Sequence, residues 1–120
     1  MMKLLPGLPD NVVGVVASGQ VDADDYNTVL IPAIEMALQK RERIRMLYHL
    51  GPDFISFSPG AMWDDAKFGL THWKAWERVA VVTDVPWVAH ATLMFKFLMP
   101  SVVRVFSPNE YNDAVKWIAT

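Results

Sequence analysis

The chain has 120 residues, the size of one domain, and its 52% hydrophobic content supplies a core that needs no covalent staple. A net charge of −2 argues against nucleic acid as a bulk partner, and the lack of cysteine removes disulfides and thiolate chemistry. The apolar run in MMKLLPGLPD is too short for a signal peptide, so the expectation is a soluble, cytoplasmic, single-domain protein.

Met2–Leu5 reads as a short strand, followed by a turn cluster at Pro6-Gly7-Leu8-Pro9-Asp10-Asn11. Val12–Ser18 is a second, β-branched strand that Gly19 ends, and the two predict a hairpin with the first strand at an edge. Asp22 then reads as a helix cap, with Asp24 and Asp25 in the positive first turn and Val21 and Tyr26 as a hydrophobic staple. Capping explains these aspartates better than a metal site does. Tyr26, Val29, Leu30, Ala33, Ile34, Ala37 and Leu38 follow helical spacing, and Pro32 within it predicts a bend. The basic run Lys40, Arg41, Arg43 and Arg45 falls at the helix end, where cations offset the dipole. Attraction for anionic lipid or phosphate is the lesser alternative.

Ile44–Leu50 reads as a buried strand, broken by Gly51-Pro52-Asp53, with Phe54-Ile55-Ser56-Phe57 as an apolar loop. Ser58-Pro59 opens a helix over Pro59–Trp73, serine as cap and proline at the first helical position, with Phe57 and Met62 as a staple. Its expected inner face is Met62, Trp63, Ala66, Gly69, Leu70 and Trp73, with Asp64, Asp65, Thr71 and His72 opposite. Phe68 falls among the polar residues: exposed, covered by the Phe54–Phe57 loop, or facing a ligand or subunit. Asp64, Asp65 and His72 do not make a metal site, because roughly 10–12 Å of helix separates the aspartates from the histidine.

Arg78–Thr83 is the next strand, and Asp84-Val85-Pro86 starts the segment PWVAHATLMFKFLM, Pro86–Met99, which Pro100 ends. At about 100° per residue, Phe97, His90, Met94, Trp87, Leu98, Ala91, Phe95 and Val88 fill about half the circumference. Leu93 widens that arc, leaving Thr92, Lys96, Ala89 and Met99 for water. A helix on one face of a sheet needs an apolar stripe of only about 100°. This one therefore either lies between the sheet and a neighbouring helix or lines a pocket, a membrane contact or a partner. It is too short to span a bilayer, which takes about 20 apolar residues.

Val102–Phe106 is the last strand, and Ser107-Pro108-Asn109-Glu110 matches a capping box with Phe106 and Tyr111 as its staple. Tyr111, Ala114, Val115 and Ile118 form the inner face of the final helix. The alternation predicts right-handed βαβ units in a five-stranded mixed, mainly parallel α/β sheet with four main helices. Three X-Pro helix starts, at Ser58, Val85 and Ser107, fall at the carboxyl ends of strands, the edge where ligands of open α/β sheets bind.

The runs VDADDYNTVLIPAIE, FSPGAMWDDAKFGLTHW, ERVAVVTD and FKFLMPSVVRVF together resemble the SpoIIAA-like family, of STAS/SEC14 type. The WDD-x-KFGL run, followed by Trp73 and Glu77-Arg78, is the most specific part. The resemblance implies a STAS-like fold, close in shape to lipid-carrying CRAL-TRIO domains, with no catalytic residues and no cofactor. The roles it implies are binding of apolar small molecules and contact with membranes. Anti-anti-sigma relatives carry a phosphorylatable serine in an Asp-Ser-Ser-Gly type motif. Here that region reads Ser56-Phe57-Ser58-Pro59-Gly60, so Ser58 is the equivalent position without the motif, and a helix cap accounts for it.

No nucleophile elbow, P-loop or dinucleotide fingerprint is present. His49, in a strand, and His90, on an apolar helix face, read as core or boundary histidines. His90 is the better candidate for a polar group inside a pocket. The function expected is non-catalytic binding of a small apolar or amphipathic, lipid-like ligand, with peripheral membrane contact and no metal. Phe57, Trp63, Phe68, His90, Leu93, Met94 and Phe97 are the pocket candidates. The alternative is a regulatory protein–protein module using the same surface, with a homodimer as its simplest form.

Overall fold

Successive residues of a strand face opposite sides of a sheet, and here the alternation divides the apolar residues between two cores. Val13, Val15, Ala17, Ile44, Met46, Tyr48 and Val81 join one, and Val12, Leu47, Ala80, Val82 and Phe106 the other. The structure, a computed structural model, describes residues 1–71, 73–90, 92 and 102–120, without the side chains of 65, 66, 68–71 and 73.

The strands are β1 (Met2–Leu4), β2 (Val12–Val21), β3 (Ile44–Phe57), β4 (Trp76–Val82) and β5 (Val103–Phe106), lying side by side in that order. β1 runs antiparallel to β2, and β2 to β5 are mutually parallel. Sequence order equals spatial order, so right-handed crossovers all return over one face. Helix α1 consists of Ala23–Asp25, a π-helical turn Tyr26–Leu30 and Ile31–Lys40; α2 is Pro59–Thr71 and α3 is the helical stretch 86–90. Tyr26, Leu30, Ile34, Ala61 and Val88 carry these three onto the first core. α4 (Tyr111–Ala119) packs Ala114 and Ile118 on the opposite face.

Two strands outrun their expected ends. β2 passes through Gly19, whose φ of 59° a side chain rarely adopts, and continues to Val21. β3 does not stop at Gly51-Pro52-Asp53. Pairing slips from Leu50 opposite Ala17 to Phe54 opposite Gly19, and the bulge leaves Gly51 buried against β2 with Pro52 and Asp53 exposed. β4 pairs with β3 only from Ile44 to His49, so Pro52 removes no donor from that ladder. The expected Phe54–Phe57 loop is therefore the end of a two-stranded arm reaching beyond the sheet.

Asp22 caps α1 as expected, in a reciprocal box with Asp25: each backbone N–H donates to the other's carboxylate at 3.0 Å. Pro32 has no N–H to offer the preceding turn. The helix widens just before it, with the Ile31 N–H reaching back to the Tyr26 carbonyl. Of the basic run, Lys40 and Arg41 lie at the helix end. Arg43 instead donates to the Trp76 carbonyl at 3.0 Å, and Arg45 pairs with Glu77 at 2.6 Å.

The helix α2 is turned differently from its expected inner face. Ala61 is fully buried, whereas Met62 and Trp63 are exposed. Small residues set this rotation: a Cβ placed on Gly60 would stand 3.3 Å from the Ala23 Cβ, so α2 meets the start of α1 at Gly60, with Ala61 buried in the core beside it. α2 ends at Thr71, and Trp73 opens a short 3-10 turn, Trp73–Ala75. Of the expected helix Pro86–Met99, residues 86–90 and 92 are helical and the others lie outside the described residues. Val88 is buried as expected, but Pro86, Trp87 and His90 face outward while Ala89 and Thr92 are half-buried.

Candidate functional site

A row of aromatic rings runs from the first core to the surface at the carboxyl end of the sheet. Tyr26 from α1 and Tyr48 from β3 bring their hydroxyls together at 3.1 Å, both side chains buried. The Tyr48 ring meets Phe57 edge-on, with centroids 6.2 Å apart. Phe57 packs against Phe54 at 5.0 Å and meets Trp87 of α3 edge-on at 5.8 Å. Such edge contacts hold aromatic pairs beyond their area alone. The elements that meet here also carry large apolar side chains open to solvent: Ile55 of β3 at 74% exposure, Met62 and Trp63 early in α2 at 51% and 68%, and Trp87 of α3 at 44%. A single exposed apolar residue needs no explanation, but several on adjoining elements mark an interaction surface.

Local chemistry places these elements. The Ser58 N–H donates to the Val21 carbonyl at 2.8 Å, tying the arm together where α2 starts. Its hydroxyl accepts from the Ala61 N–H at 3.1 Å, so Ser58 is a helix cap. At the next junction the Thr83 N–H donates to the Phe106 carbonyl at 2.9 Å, and its Oγ1 accepts from the Val85 N–H at 3.0 Å. That turns the chain into Pro86 and presents Trp87 toward Phe57.

Of the expected pocket residues, Phe57 sits within the aromatic row. Trp63 and His90 are exposed rather than enclosed. The side chain of Phe68, and Leu93, Met94 and Phe97 entirely, lie outside the described residues. The sequence reading missed Trp87, Ile55 and Met62 as surface residues and the buried Tyr26–Tyr48 pair. For Trp87 the signal was available: an aromatic residue directly after an X-Pro helix start lies at the strands' carboxyl edge. Asp64, expected on the polar side of α2, is half-buried, and its Oδ2 is shut from solvent with no hydrogen-bond partner among the described residues. Among the described residues no group of three His, Asp or Glu side chains is placed to hold a metal ion.

The family model described as SpoIIAA-like matches residues 12–119. The chain belongs to the SpoIIAA-like family. A solved structure of an uncharacterized protein with a SpoIIAA-like fold, from Shewanella loihica PV-4, is similar at TM-score 0.75 and 27% identity, over 98% of this chain and 92% of that one. None of the curated proteins matches the chain. The STAS-type α/β fold of this SpoIIAA-like chain supports a regulatory or binding module.

The opposite face of the SpoIIAA-like sheet is occupied by structural contacts. His49 lies against the Tyr111 ring, centroids 4.7 Å apart, and burial pushes its pKa below the usual 6.5. Glu110 accepts from the Ser107 N–H at 2.9 Å and the Ser107 hydroxyl at 3.1 Å, which holds its carboxyl below the ordinary range. That is the expected capping box, closing a 3-10 turn ahead of α4. No helix among the described residues is long and apolar enough to cross a membrane.

Proposed function

We propose that this SpoIIAA-like chain is a non-catalytic, cytoplasmic binding module for a small apolar or amphipathic, lipid-like ligand, which it meets at the surface around Phe57, Trp63 and Trp87. One observation supports the reading: the aromatic row ends in Trp87, 44% exposed, and the helix that follows Phe57 carries Trp63 at 68% exposure. Binding would work by removing that surface from water, at about 25 cal/mol per Å². Indole rings suit the task because they present a broad apolar body with one polar edge, the chemistry of an amphiphile's boundary or a membrane surface. The STAS-type fold supports the non-catalytic part of the proposal.

A second reading, a regulatory protein–protein module, is favoured by the openness of Trp63 and Ile55, which suits a flat partner as well as a small molecule. Its simplest form is a homodimer. Native mass spectrometry after gentle purification separates the two. A monomer carrying an adduct of lipid mass supports the ligand reading. A bare dimer supports the second reading and overturns the first.

A further inference from the structure

We draw no further inference here: the strongest candidate, the apolar outer edge of the two-stranded arm where β3 runs on from His49 to Phe57 without β4 beside it, belongs to the surface already described, and nothing among the described residues shows what covers it.

Discussion

Arg78 of β4 lays its guanidinium over the Trp117 ring, 5.1 Å from the centroid, and donates from Nη1 to that residue's own carbonyl at 2.7 Å. One strand above, Arg45 donates to the Ile118 carbonyl at 2.9 Å. The last carbonyls of a helix have no partner within it, and cations offset the negative end of its dipole. α4 has only nine residues, too few to persist on propensity. The sheet thus holds its covering helix by the far end as well as by the apolar face of Ala114 and Ile118.

Arg45→Met removes both the Ile118 contact and the Glu77 pair from a side chain that is largely buried. The expected loss is about 2 kcal/mol, the worth of a charged group's hydrogen bond in a sheltered place. Glu77→Gln should cost less than about 1 kcal/mol, because Glu77 is substantially exposed. Urea denaturation of the two variants checks the ordering.

The His49 pKa is lowered by burial, so the folded chain resists a proton that the unfolded chain accepts. Stability is full above the unfolded value of 6.5 and is lost as pH falls through the lower folded value. His49→Gln should flatten that decline, read from melting temperature between neutral and mildly acidic pH. Glu110, also lowered, adds a second decline at more acidic pH that His49→Gln leaves in place.

Ser58→Ala should cost about 1 kcal/mol, the usual value of an N-cap, whereas Ser58→Asp keeps an acceptor for the Ala61 N–H and should cost little. Thermal melts of the pair separate a capping role from any need for the hydroxyl itself.

Gly19→Ala places a side chain at a φ of 59° in space that is otherwise open. The cost is that of the left-handed backbone alone, about 1 kcal/mol. Gly19→Asn should be milder, because asparagine tolerates that region. Chemical denaturation gives both values.

Turn and cap chemistry was legible because each signal is local. Asp22, Ser58 and Ser107 needed only the next three residues to identify themselves, and the alternation of strands with helices along the chain was enough for a mainly parallel sheet. What was not legible depended on contacts remote in sequence. Gly51-Pro52-Asp53 looks like a break until β3 is seen to pair with β4 no farther than His49, which leaves the proline nothing to disrupt on that side. The face of α2 was misread from Met62 and Trp63 because hydrophobicity was taken as burial, while the decisive contact was the close approach of Gly60 to Ala23. That same error hid the candidate surface: Met62 and Trp63, assigned to the inside of α2, are shown to solvent.

The central claim is that this apolar surface binds. Fluorescence titration of the wild-type chain with Nile red, repeated on Trp63→Ser, tests it most directly. Truncating so exposed a side chain should leave the melting temperature within about a degree or two, as surface substitutions do. The account predicts saturable binding near one probe per chain, weakened about tenfold in Trp63→Ser, the order of an aromatic anchor's contribution. No saturable binding, or equal affinity in both proteins, would contradict it.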